Sequence, residues 1–91
     1  MTAESNSEVR FKLLLFRTGL RAYIGAADAL SGNPARGRAE AEGAMSYARE
    51  LMRENAAKAD RLHLAQQLEA QITVPLALIA GMRSPAPKPS V

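Results

Sequence analysis

The chain of 91 residues has no cysteine, no tryptophan and a single histidine. Without cysteine, no disulfide can stabilise a small core and no thiolate can act as nucleophile or metal ligand. Two phenylalanines and two tyrosines are its only aromatic residues, which argues against binding bases or sugars on aromatic platforms. No uninterrupted apolar run approaches the roughly 20 residues that cross a membrane as a helix, so we expect no membrane span.

Charge of either sign is also limited in this sequence. Twelve basic and nine acidic residues leave a net charge of +3, a smaller excess than dedicated nucleic-acid-binding domains usually carry. Most of the basic residues are arginine, whose planar guanidinium favours pairing with carboxylates. The first residues are polar and acidic, unlike a signal peptide, and we expect a cytoplasmic protein.

No group of residues has the spacing of a catalytic or metal-binding motif. His63 follows Asp60 by one helical turn, but zinc needs three or four ligands and no further residues complete the set. The glycines match neither a phosphate-binding loop nor a dinucleotide-binding pattern. We therefore predict no catalytic, cofactor-binding or metal-binding residues and no enzymatic activity.

A first helix is predicted over about residues 6–31. It begins at a capping box, in which Ser5 precedes Glu8 by three positions. Apolar residues then recur in the heptad rhythm of a helix that is packed along its length, at Val9, Leu13, Phe16, Leu20, Tyr23, Ala27 and Leu30. A second apolar flank holds Phe11, Leu15, Ala22, Ala26 and Ala29, so we expect this helix to be buried on most sides.

The clearest break between two helices in the sequence is the segment 31–34. Gly32 suits a left-handed residue after a helix, Asn33 suits an N-cap, and Pro34 suits the first position of the next helix. A connection this short predicts an antiparallel helical hairpin.

The rest of the chain predicts helices over about residues 34–57 and 60–82. The apolar stripe changes phase near Asp60, so this region is either two helices or one long, kinked second helix. Asn55 either marks a helix end or is a buried polar residue that fixes the register of packing. Pro75 predicts an interruption, with Thr73 capping a short last helix. Residues 83–91 carry three alternating prolines and are predicted to be a disordered tail after a single helical domain, residues 1–82.

We therefore predict an all-α fold in which the hairpin is extended to a three-helix bundle. The large apolar residues are concentrated in the first and last helices, whereas the middle helix is rich in alanine. Alanine permits close approach of helices but buries little area. The middle helix alone therefore cannot bury the apolar faces of the first and last helices. We expect dimerisation to complete the bundle, since an exposed apolar face invites aggregation.

Three arginines of the first helix form its sharpest candidate site. Arg10, Arg17 and Arg21 fall within about 40° of one another on a helical wheel. They could bind an acidic partner or phosphates, or they could pair with Glu40, Glu42 or Glu50 of the second helix. The segment 72–82 is predicted to be core, dimer interface or a docking surface. The candidate interface residues are Arg10, Phe11, Leu15, Arg17, Arg21, Ile72, Leu76 and Ile79.

Two stretches resemble known helical families in rhythm. Residues 16–21 and 44–51 are similar to the flagellin-export chaperones of bacteria, which are helical bundles that sheathe an export substrate. Arg17, however, stands where that family usually has an acid, and the chain is shorter. Residues 18–23 with Asn55 resemble the helical input domains of bacterial sensor proteins, which are flanked by membrane spans. Because each likeness rests on Ala, Leu and Arg positions, no function or site residue is carried over from either.

Three hypotheses for function follow from these patterns. The first is a non-enzymatic protein-interaction module: a chaperone, adaptor or regulator that binds a helix of a partner protein and forms a homodimer. The second is a nucleic-acid-associated regulatory protein that uses the arginines of the first helix. The third is a small dimeric helical enzyme in which Arg10, Arg17 and Arg21 bind a dicarboxylate; no general base is placed beside them.

Overall fold

The computed structural model describes residues 5–82, and within them the chain forms three α-helices and no strand. Helix α1 spans Asn6–Leu30, α2 spans Pro34–Glu54 and α3 spans Ala59–Gly81. Each helix packs against the other two, which confirms the predicted all-α, three-helix bundle. The predicted tail, residues 83–91, lies outside the described residues.

Side-chain caps fix where α1 and α2 begin. The Ser5 hydroxyl oxygen accepts a hydrogen bond of 3.2 Å from the Glu8 backbone N–H, and the Asn33 side-chain oxygen accepts one of 3.4 Å from the Arg36 N–H. Gly32 has a φ of +103°, a left-handed conformation that costs glycine little. Ser5 and Asn33 are therefore confirmed as N-caps, and Gly32 as the left-handed residue of the turn.

The structure resolves the region after residue 34 into two helices. Asn55 is the C-cap of α2, and its side-chain N–H donates a hydrogen bond of 2.8 Å to the Leu51 carbonyl. The side chain is buried, at 8% exposure, because it closes the last turn of its own helix. Asn55 thus marks a helix end, and the turn that follows lets α3 take a different direction.

The predicted interruption at Pro75 is wrong, since α3 continues through it. A proline inside a helix leaves the carbonyl four residues earlier without its donor. That carbonyl belongs to Gln71, which is exposed and therefore open to water. The Pro75 ring is almost completely buried, and its apolar contacts offset part of the cost. Thr73 is not a cap; its hydroxyl donates a hydrogen bond of 3.0 Å to the Glu69 carbonyl within the helix.

The core consists of two apolar clusters of unequal size. The larger joins all three helices around Phe11, Met45, Leu51, Leu68 and Ile72. The smaller lies nearer the turn between α1 and α2 and contains Ala26, Ala29, Ala41 and Ile79. Here α1 and α2 cross closely: a Cβ atom added to Gly25 would lie 2.6 Å from the Gly37 carbonyl oxygen. Small residues on both helices make this approach possible.

The face of α1 that packs is not the heptad stripe. The buried residues of α1 are Phe11, Thr18, Ala22, Gly25, Ala26 and Ala29, which lie on the second flank of the sequence pattern and beside it. All members of the heptad stripe are exposed to solvent. The reason is steric: α2 approaches closely only where α1 presents alanine and glycine, and bulky side chains would hold the two helices apart.

Candidate functional site

A row of large apolar side chains runs along the solvent side of α1, and we call it the outer stripe. Phe16 is 70% exposed and Leu13 is 62% exposed, and the other members are at least two-fifths exposed. At 100° per residue the row lies opposite the buried face of the helix, so no part of the bundle can cover it. The outer stripe consists of Val9, Leu13, Phe16, Leu20, Tyr23, Ile24 and Leu30.

The three predicted arginines form one border of the outer stripe. Arg10, Arg17 and Arg21 are exposed and lie between the outer stripe and the side of α1 that meets α2. Across residues 5–82, none of them has a carboxylate within the 4.0 Å of an ion pair. The predicted pairing with α2 does not form in the described part of the chain.

The carboxylates near the arginines have other partners. Glu40 pairs with Arg36 at 3.5 Å, one turn earlier in α2. The same Arg36 lies 4.0 Å from Asp28 of α1. Among residues 5–82, therefore, no carboxylate forms an ion pair with Arg10, Arg17 or Arg21, and Glu40, which lines a groove with two of them, pairs with Arg36 instead.

Two adjoining grooves connect the arginines to apolar surface between α1 and α2. A groove of about 330 Å³ is lined by Arg17, Arg21, Leu20, Ile24 and Glu40. A groove of about 170 Å³ shares Arg17 and Arg21 and adds Leu14, Thr18 and Tyr47. The two grooves give a ligand on the outer stripe both an apolar floor and guanidinium groups at its edge.

Gly43 of α2 determines how one of these arginines lies. A terminal guanidinium nitrogen of Arg21 is 2.9 Å from the position that a Cβ atom on Gly43 would occupy. The guanidinium therefore rests directly on the backbone of α2. An alanine at position 43 would displace it.

Five of the predicted interface residues belong mainly to the bundle's own core. Phe11, Ile72 and Ile79 are buried, and Leu15 and Leu76 are partly buried against the core clusters. The Arg61 guanidinium covers Phe11, 5.1 Å from its ring centre, while pairing with Glu8 at 3.3 Å. Phe11, Ile72 and Ile79 therefore have no free surface to offer a partner, whereas Leu15 and Leu76 keep part of theirs.

The surface residues that sequence reasoning missed as interface candidates are those of the outer stripe. The heptad spacing of these residues predicts internal packing, whereas the structure exposes them. The signal for the correct face was the placement of small residues on either side of the turn. Gly25 and Gly37 face each other there, with Ala29 beside them.

Helix α3 exposes a smaller apolar patch. Val74 is 61% exposed and Leu78 is 48% exposed, and no charged residue occurs between positions 70 and 82. This patch lies on the side of α3 away from its buried residues. It carries no arginine border, so it offers less for a specific ligand to recognise.

The single histidine has a neutral partner. A ring nitrogen of His63 lies 3.2 Å from the side-chain nitrogen of Gln67, one turn later. Within residues 5–82, no three side chains of histidine, aspartate or glutamate come together as a metal site would require.

None of the helices in the described part of the chain is long and apolar enough to cross a membrane. No family model, no curated protein and no solved structure matches this chain.

Proposed function

We propose that this protein is a non-enzymatic protein-interaction module that binds a helix of a partner protein on the outer stripe of α1. The observation that carries the proposal is the exposure of large apolar side chains along one helix, on the side opposite its core. Exposed apolar patches of this kind mark interaction sites more often than they occur without a role.

The heptad rhythm of the outer stripe favours a helical partner. Apolar residues at alternating four- and three-residue intervals form a seam into which the side chains of a second helix interdigitate. Burial of such side chains yields about 25 cal/mol for each Å² of apolar surface removed from water. An amphipathic helix laid along α1 would therefore gain affinity over several turns, in the helix-in-groove mode.

A second copy of the chain is another occupant of the same stripe. The homodimer that we expect from the sequence stays a prediction. The antiparallel α1–α2 hairpin, which would present α1 to the second copy, also stays a prediction. A twofold dimer through α1 would place each outer stripe against the other. It would also cover the apolar surface that the three helices leave open.

Nucleic-acid association is the second candidate function. The exposed arginines Arg10, Arg17 and Arg21 favour it, since arginine binds phosphates through two parallel hydrogen bonds. Binding of this kind weakens steeply with added salt. A gel shift with duplex DNA and RNA at low salt tests this candidate function, and the absence of a complex would contradict it.

Photo-crosslinking in the native cell tests the proposed function directly. A photoreactive phenylalanine analogue at position 16 lies in the outer stripe, and the same analogue at position 53 lies on an exposed site of α2. We expect a discrete protein adduct from position 16 that position 53 does not give. The same pattern from both positions, or an adduct only to nucleic acid, would contradict the proposal.

A further inference from the structure

We infer that the occupant of the outer stripe is an amphipathic helix with a row of acidic residues along one edge of its apolar face. This inference rests on the proposed function and specifies the chemistry of the partner. It follows from the charges that border the stripe.

Every charged residue between positions 9 and 27 is basic. Arg10, Arg17 and Arg21 follow one border of the outer stripe, exposed and without a carboxylate at pairing distance among residues 5–82. A partner that buries the stripe must bring its own flanking residues against this border. Acidic side chains there gain charge-assisted hydrogen bonds, whereas basic ones meet like charge.

The spacing of the arginines specifies the spacing of the acids. With a rise of 1.5 Å per residue, Arg10 lies about 10 Å from Arg17 along the helix axis, and Arg17 lies about 6 Å from Arg21. A helix packed alongside at a shallow angle matches these steps with its own residues. We therefore expect glutamate or aspartate at intervals of about seven and four residues along its edge.

A second copy of α1 fits this border poorly. Its outer stripe is bordered by the same three arginines, and the one carboxylate in that row, Asp28, lies near its end and already faces Arg36 at 4.0 Å. When the arginine rows of two such helices lie side by side, the single Asp28 of each copy can oppose only one arginine of the other, and the remaining arginines meet like charge. Like charges across a helical interface disfavour the pairing.

Nucleic acid would contact only the arginines of this surface. Phosphates would satisfy the arginines, but a phosphate backbone offers no apolar surface to cover Leu13 and Phe16. The most exposed side chains of the stripe would stay in contact with water. Only a ligand with both an apolar face and an acidic edge uses both features of the surface.

A display library of helical peptides tests the inference. Each peptide carries a constant leucine heptad seam, and its flanking positions vary among Glu, Gln and Lys. We expect selection on the whole protein to enrich Glu over Lys along one edge, at intervals of about seven and four residues. Enrichment of Gln or Lys would overturn the acidic edge but leave helix binding intact, whereas failure to enrich any peptide would count against both proposals.

Matched variants locate the effect on the protein. The best Glu-edged peptide is measured by fluorescence anisotropy against the native chain and against Arg17→Gln and Arg21→Gln. We expect each substitution to weaken binding about tenfold. Arg38→Gln, which removes the same charge from an exposed site on α2, should leave the affinity unchanged.

Two further measurements separate the other occupants. Light scattering across a range of protein concentrations detects a stable homodimer; a homodimer that Phe16→Asp dissociates would assign the stripe to a second copy and overturn the acidic helix. Competition with duplex DNA distinguishes phosphate binding at the same arginines. The inference would likewise be overturned if DNA displaces the peptide while the Leu13→Asp and Phe16→Asp substitutions leave the affinity for the peptide unchanged.

Discussion

The close crossing of α1 and α2 is made by residues without side chains. Gly25 of α1 and Gly37 of α2 meet backbone to backbone, and a Cβ atom on Gly37 would also lie 2.9 Å from the Ala29 nitrogen. The neighbouring atoms belong to the main chain, so they cannot rotate away. This crossing sets the distance between α1 and α2 and thereby which face of α1 is left outside.

Gly37→Ala should destabilise the fold. Alanine improves helix propensity by about 1 kcal/mol, but the added methyl forces the helices apart, and overpacking of this kind costs about 1–3 kcal/mol or more. We expect a net loss of about 1–2 kcal/mol in urea unfolding followed by circular dichroism. The control is Gly81→Ala, where an added Cβ meets nothing within 4 Å; equal effects from the two variants would contradict the close crossing.

At the scale of the element, α1 shows which features a sequence can predict. Its start at Ser5 and the turn at Gly32 and Asn33 follow from local hydrogen bonding and φ preferences, and both were predictable. Its orientation in the bundle was not, because both flanks are apolar and periodicity alone does not say which one packs. The face with small residues is buried because it permits the shorter distance between helices.

Two phenylalanines on α1 provide a direct test of that orientation. Phe11 is 6% exposed and Phe16 is 70% exposed, so the same substitution should have very different effects. We expect Phe11→Ala to cost about 3–4 kcal/mol of unfolding free energy through loss of burial and a cavity. Phe16→Ala should change it by no more than about 0.5 kcal/mol. The reverse order in chemical denaturation would mean that the heptad stripe is the packed face.

Pro75 gives a second test at the scale of the element. Replacing it with alanine restores a backbone donor for the Gln71 carbonyl and removes an interior-helix penalty of about 3 kcal/mol. The loss of the buried ring costs about 2 kcal/mol. We therefore expect Pro75→Ala to raise the free energy of unfolding by about 1 kcal/mol. Val74→Ala, at a neighbouring position that is 61% exposed, serves as the control, and a destabilised Pro75→Ala variant would show that ring packing outweighs the helix penalty.

At the scale of the whole molecule, the fold class could be predicted from the sequence. Of the candidate site, only the arginine row could be predicted in this way. The arginine row follows from the sequence, since helical geometry alone aligns Arg10, Arg17 and Arg21. The outer stripe could not be recognised as exposed, because exposure depends on where α2 and α3 lie. Phe11, Ile72 and Ile79 were expected at an interface for the same reason: buried and interfacial apolar residues have the same pattern in a sequence.

The unequal core clusters predict unequal protection of the two ends of the bundle. The cluster near the α1–α2 turn buries three alanines and Ile79, with Leu76 and Met82 partly buried against it, so it holds fewer large buried side chains than the other cluster. We expect backbone amides around residues 78–81 to exchange with deuterated solvent at least tenfold faster than those around residues 68–72, which lie beside the larger cluster. Nuclear magnetic resonance measures this at single residues, and uniform protection along α3 would contradict it.

The contact between Arg21 and Gly43 shows how the charged border of the outer stripe could change between related chains. The guanidinium lies on α2 because position 43 has no side chain. A change at this position would redirect a charge on α1 while leaving every residue of the outer stripe as it is. Related chains could therefore acquire different binding preferences on α1 by substitution at a position of α2.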